Sequence, residues 1–377
     1  MHFVPEQLCV GLYVPPGSRK VNSLIVKPAY KTVLAKMFVI ITFLLISTIW
    51  KTGEGKVFKN QKNLHQPGGL NENQINTLAQ LSNLTHMDEI LDNICVERVV
   101  GTEKHEEVKE YIHNSMADLG WSVEIDEFYA DTPIFGNLKF SNVIAKLNPH
   151  ATRYLTLACH YDSKYMFGMK FVGAIDSAVP CAQLINTAKV MNKQLNSVKN
   201  QDVSLMFIFF DGEEAFETWG PTDSIYGARH LAKKWSKTPS LQHLGNNISE
   251  LDKIDLLVLL DLIGDSKSKF RNYSTNKKRW YELLLSAEAY LASLELFENY
   301  SYGYQKYFEE YSTPSYIEDD HIPFLKRNVP VLHIIPYTFP EIWHTEDDKR
   351  ENIDLQATEN INKILRLFIA SYLHINV

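Results

Sequence analysis

Ser204–Trp219 reads SLMFIFFDGEEAFETW, and the fold turns on this stretch. Its first seven residues, Ser204–Phe210, are rich in Phe, Ile, Leu and Met between polar flanks. That is the pattern of a strand buried on both faces of a sheet. The run breaks into Asp211-Gly212-Glu213-Glu214. Carboxylates beside a buried strand are costly unless a cation neutralises them. A metal ion held by one glutamate, with the other left to move protons, fits the pattern. An acidic turn opening a helix is the other reading, since acids favour helix N-termini.

Working outward, similar apolar runs occur at Arg153–Ala158, Ile254–Leu260 and Pro330–Ile335, and Ser122–Phe128 and Ser141–Leu147 add two β-like segments. Helical patterns separate them. Gly101–Leu119 carries a stripe of Val108, Tyr111, Ile112 and Met116. A helix is predicted from Asp176-Ser177-Ala178 to about Leu195, with Ser177 as candidate cap. Further helices are predicted at Ser224–Trp235, Trp280–Leu294 and Asn352–Leu373. Buried strands alternating with helices predict an α/β fold: an open, mostly parallel twisted sheet flanked by helices on both faces.

Each of the four most apolar strands delivers a histidine or carboxylate at or beyond its carboxyl end. His160 and Asp162 follow the first, Glu213 and Glu214 the second, Asp261 the third, and His344 lies beyond the fourth. Asp176, at a helix start, can reach the same crevice. In open α/β sheets that edge is where ligands bind. Mixed imidazole and carboxylate ligation suits Zn²⁺, and Asp162 is a candidate for orienting His160. Spacing alone leaves the number of ions and the reaction open.

The chain has 377 residues and a net charge of −7, enough for one large domain or two small ones. No basic stripe or nucleic-acid motif is present, so no nucleic-acid partner is expected. Residues 1–36 read as a basic leader expected to be disordered. The apolar run 37–50 reads as a signal h-region or a short signal anchor, residues 51–75 as a linker and 76–377 as a single catalytic domain. Membrane attachment is expected only if the leader is an uncleaved anchor. Sequons at Asn83, Asn247, Asn272 and Asn299 are glycosylation candidates and support the secretory pathway, with secretion favoured over a Golgi anchor. Cysteine usage is sparse. Cys159 and Cys181 flank the first half of the site, and a disulfide and two buried thiols are both compatible with their spacing.

Several strings resemble the glutaminyl-peptide cyclotransferases (glutaminyl cyclases), related in fold to zinc aminopeptidases. They are ACHYDSKY at Ala158–Tyr165, DSAVPCA at Asp176–Ala182, FFDGEEAF at Phe209–Phe216, LLVLLDLIG at Leu256–Gly264, IEDDHIPFL at Ile317–Leu325 and FPEIWHT at Phe339–Thr345. The resemblance implies one zinc ion per chain, held by Asp176, Glu214 and His344. It implies Glu213 as general base and acid, with Asp261 and Asp319 as a hydrogen-bonded acidic pair beside it. Trp219, Phe339 and Trp343 would line the substrate pocket, with His333 as a polar wall. A Cys159–Cys181 bridge belongs to the same pattern. The implied reaction converts amino-terminal Gln, possibly also Glu, of peptides and proteins to pyroglutamate; a monomer is expected. The alternative is a two-zinc aminopeptidase, with His160 and Asp261 on the second ion. The Tyr-rich stretch Tyr300–Tyr316 is either a loop at the mouth or an ordinary surface loop.

Overall fold

The computed structural model describes residues 36–41, 58, 60–241, 248–302 and 306–377. The chain divides into two units, Met1–Gly53 and Glu54–Val377. In the first, the described residues 36–41 are helical. The rest of the expected signal segment, and the sequon at Asn247, lie outside the described residues. Among the described residues, no helix is long and apolar enough to cross a membrane.

The second unit is built on strands β1 (Ser122–Thr132), β2 (Gly136–Lys146), β3 (Arg153–His160), β4 (Val203–Phe210) and β5 (Ile254–Leu260). A short pair, β6 (Phe270–Tyr273) and β7 (Phe308–Thr313), precedes β8 (Val331–Ile334). Six strands form one sheet in the order β1-β2-β4-β3-β5-β8. The contiguous β4-β3-β5-β8 block is parallel, as the buried apolar runs require. β1 and β2 form an antiparallel hairpin on its edge, and β2 pairs antiparallel with β4, so the sheet is mixed.

β4 shows why the sheet sits mid-layer. Leu205, Phe207 and Phe209 enter one core with the helices Val179–Val190 and Leu355–Tyr372. Met206, Ile208 and Phe210 enter the opposite core with helix Tyr226–Trp235. The two-residue repeat of a strand, apolar at every position, thus feeds both faces. Each such side chain contributes about 1.5–3 kcal/mol on burial.

Three sequence expectations change. The stretch to residue 75 is not a bare linker: Lys62 Nζ donates to Ile254 O, the Gly68 N–H donates to Ser371 O, and Leu70 packs on the core. Asn71 then caps helix Glu72–Ala79 through a reciprocal box with Gln74. The helix expected from Ser177 begins at Val179 with no side-chain cap, because Ser177 Oγ is engaged elsewhere. As for the sequons, Asn83 and Asn299 are exposed. Asn272 is buried in β6 with its amide donating to Ser312 Oγ, which leaves it unfit to carry a glycan.

Candidate active site

The carboxyl ends of the four parallel strands converge on one cavity of about 540 Å³. Gly212 makes the turn out of β4 at φ +66°, and a Cβ there would meet the Phe140 ring at 2.4 Å, so only glycine fits. The turn is held by Asp162, whose carboxylate accepts the Glu213 N–H at 3.0 Å and the Glu214 N–H at 3.2 Å. Asp162 therefore does more than orient His160, whose Nδ1 lies 3.4 Å from it. Asp211 is directed elsewhere. Its carboxylate meets His105 Nε2 at 2.7 Å and accepts the Ser141 N–H at 2.6 Å.

Asp176 is positioned from below by two residues that the sequence patterns did not single out. The fully buried Arg98 donates to the carbonyls of Tyr161, Val172 and Gly173, and Asp348 accepts the Ile175 N–H at 2.8 Å. Asp176 Oδ2 and Glu214 Oε1 each lie 3.3 Å from His344 Nε2. The ligand atoms of Asp176, Glu214 and His344 all fall within 4.8 Å of one another. Glu214 Oε1 is buried without a well-aligned donor. An oxygen left over in this way, beside a second carboxylate and an imidazole nitrogen, is a donor set that fits a divalent cation such as zinc. Burial works against charge on His344, but Asp176 and Glu214 raise it to about 9. Asp176 is held below the usual carboxylate range because His160 and His344 outweigh its burial.

The other acids occupy the cavity floor. Burial, reinforced by Glu214, Asp319 and Asp320, pushes Glu213 well above its ordinary value despite His160. Burial, with Asp176 and Asp319 close by, brings Asp261 up to about 7 against the pull of His160. The expected acidic pair is not a direct one. Ser177 Oγ donates to Asp261 Oδ1 at 2.9 Å, and Asp319 Oδ2 bonds His333 Nε2 at 2.6 Å. Among the described residues no hydrogen bond joins Asp261 to Asp319, or either to the Glu213 side chain. Burial lowers His333 to about 3, and burial raises Asp319 above its ordinary value. His333 is accordingly not a pocket wall; it lies fully buried behind Asp319.

Trp219, Phe339 and Trp343 line the cavity. Trp343 stacks on His344 at 3.9 Å between ring centroids, and Phe339 meets Trp343 edge-on at 4.8 Å. No described tyrosine of Tyr300–Tyr316 lines it; Tyr304 lies outside the described residues. Cys159 and Cys181 are buried with their sulfurs 2.6 Å apart.

Residues 142–369 match Peptidase family M28. Over 316 residues the chain is 51% identical to the glutaminyl-peptide cyclotransferase of Drosophila melanogaster, covering 82% of this chain and 86% of that protein. This chain belongs to the glutaminyl-peptide cyclotransferases. The crystal structure of Macrostomum lignano glutaminyl cyclase superposes with a TM-score of 0.76 at 39% identity, over 81% of this chain and 94% of that one. A Zn-dependent exopeptidase from Parabacteroides distasonis shares the fold alone, with a TM-score of 0.62 at 22% identity over 77% and 98% of the two chains.

Within this cyclotransferase fold, sequence reasoning passed over three polar groups at the site. Lys164 Nζ donates to Glu214 Oε2 at 3.1 Å and to Ala215 O at 3.2 Å. A signal for it existed, because it sits inside the ACHYDSKY string. Ser177 stands next to the candidate ligand Asp176 and reads as a cap. Glu318 lines the cavity and had no signal beyond its proximity to Asp319.

Proposed function

We propose that this chain cyclises the amino-terminal Gln of peptides and proteins to pyroglutamate, releasing ammonia, with one zinc ion per chain. The observation that carries the reading is a triad of two buried carboxylates and the half-buried His344, beside a carboxylate, Glu213, that is not part of it, at the foot of an aromatic cavity. Asp176, Glu214 and His344 would hold the ion. When bound it supplies Lewis-acid polarisation of the γ-amide carbonyl and stabilises charge on its oxygen.

The chain's own groups do the rest. In the reaction the substrate α-amine nitrogen bonds to the γ-carbonyl carbon, and the bond from that carbon to the amide nitrogen breaks. Glu213 takes the proton from the amine and returns it to the departing nitrogen, so ammonia leaves neutral. Such transfer contributes about 100- to 10,000-fold. Ser177 fixes Asp261, and His333 fixes Asp319, so the floor around Glu213 keeps its shape. Trp219, Phe339 and Trp343 hold the flexible Gln side chain folded toward its own amine, which lowers the entropic cost of closure. The amine must be neutral to attack, so turnover falls at acid pH.

His160, Asp176 and Asp261 form a second group with metal-ligand spacing, and this supports the alternative of a two-zinc aminopeptidase. Incubation with a Gln-initiated peptide separates the two. The cyclase yields a peptide lighter by one ammonia; release of free Gln would overturn the reading. The secretory location, the monomeric state and a Cys159–Cys181 disulfide complete the proposal. The bridge is supported by the adjacency of the two cysteines, and alkylation of Cys159 and Cys181 in denatured protein without any reductant would remove it.

A further inference from the structure

A second groove, of about 530 Å³, opens beside the glutamine pocket, and the two share Trp219 and Glu318 in their walls. Helix Tyr226–Trp235 and the segment Ile322–Arg327 form much of it. Its charge runs against that of the chain. The chain carries −7, yet the groove presents Arg229, Lys233, Lys326 and Arg327 against a single carboxylate, Glu318.

These cations are oriented without being neutralised. Arg229 donates to Pro221 O at 2.6 Å and Thr222 O at 3.3 Å, and Arg327 donates to Pro323 O at 2.8 Å. Lys233 and Lys326 are exposed. Among the described residues none of the four is in an ion pair. The neighbouring acids are already committed. Asp223 accepts the N–H groups of Phe216, Glu217 and Thr218 and the Tyr226 hydroxyl. Asp126 is paired with Lys234 at 2.7 Å.

We propose that this groove receives the second and following residues of the peptide substrate and selects for acidic side chains there. The inference rests on the adjoining pocket being the Gln site. A peptide whose first residue fills that pocket passes the shared Trp219, and its next residues meet four cations and one acid. Partly exposed guanidinium and ammonium groups bind carboxylates with modest energy, and salt weakens them. The effect belongs in KM, because these contacts form equally in ground and transition states.

The test uses the full chain, glutaminamide, and matched peptides with Gln first and Glu, Ala or Lys at the second to fourth positions. The expected order of kcat/KM is Glu over Ala over Lys, with about three- to tenfold between the extremes, the size of a few exposed ion pairs. The difference should lie in KM and shrink toward one at about 0.5 M salt. The double charge reversal K233E/K326E, with its melting temperature checked against wild type, should invert the Glu-to-Lys ratio. If wild type cyclises glutaminamide but the ratio is flat, or ignores the charge reversal, the groove serves another partner and only this inference falls. If neither glutaminamide nor any peptide is cyclised, the pocket reading falls with it.

Discussion

The two ends of the same parallel strands carry opposite charge arrangements. At the amino ends of β3 and β5 stands one buried acid, Asp255, with Arg153 Nη1 at 3.4 Å from its carboxylate. Lys62 and Arg279 also pull on it. At the carboxyl ends Asp176, Glu213, Glu214, Asp261, Asp319 and Asp320 are all buried, and the one lysine lining their cavity is Lys164. Asp320, like Asp255, has no hydrogen-bond partner on either oxygen, but Asp255 has a guanidinium beside it. One end sets a single acid among basic side chains; the other gathers several acids around a donor set that fits a divalent cation. Buried charge without compensation costs stability, so it persists where binding or chemistry uses it.

The sharpest way to break this contrast is to remove the outside cation. His344→Ala takes one donor from the triad, and we expect metal content and turnover to be lost together. An ion held by the folded triad stabilises the fold, so on this reading adding zinc to the metal-free wild type should raise the melting temperature. Metal analysis of the wild type should give one equivalent per chain. Two equivalents would shift the carboxyl-end acids to the aminopeptidase reading.

Glu213→Gln keeps shape and removes the proton carrier. Turnover should fall by about 100- to 10,000-fold with zinc retained. Near-normal turnover would show that another group handles the proton. Ser177→Ala is expected to do less. It deletes one donor to Asp261 Oδ1, a bond to an acidic group worth roughly 1.5–3 kcal/mol, and a loss of about tenfold or more in kcat should follow. An unchanged kcat would make Ser177 a packing residue only.

What was legible from the chain follows the same division between local and distant information. The apolar runs of β4 and β5 announce buried strands, and the strand-end rule gathers Asp176, Glu213, Glu214, Asp261 and His344 at one rim without any contact being known. Partners far apart in sequence were not legible. Ser177 looks like a helix cap because Ser beside a helix start usually is one, yet its hydroxyl goes to Asp261, 84 residues away. His333 as a polar wall came only from the family resemblance, since mid-strand direction cannot be told when both faces are buried. The contact of His65 Nε2 with Tyr372 O spans 307 residues, so it is invisible in a stretch, 51–75, that reads as a linker. The β1–β2 hairpin was seen as two strands, but its antiparallel edge pairing depends on the turn between Thr132 and Gly136 and not on strand composition.

The smallest expected effect lies at the balanced end and is the control for the others. Burial pushes Asp255 up to about 6, even with Arg153, Lys62 and Arg279 opposing. Its unfolded value is about 3.9, so between these limits the folded protein binds the extra proton. Its contribution to stability is therefore fully present below about pH 3.9 and is lost as pH rises through about 6. Asp255→Asn cannot ionise and keeps nearly the same shape beside Arg153. Between pH 4 and 8 its melting temperature should decline less than that of wild type, by a few degrees, at roughly 2–4 °C per kcal/mol. Turnover should be unaffected, because Asp255 lies at the opposite end of β5 from Asp261. A large loss of activity in this variant would mean that the two ends of the sheet are coupled, and the contrast drawn between them would fail.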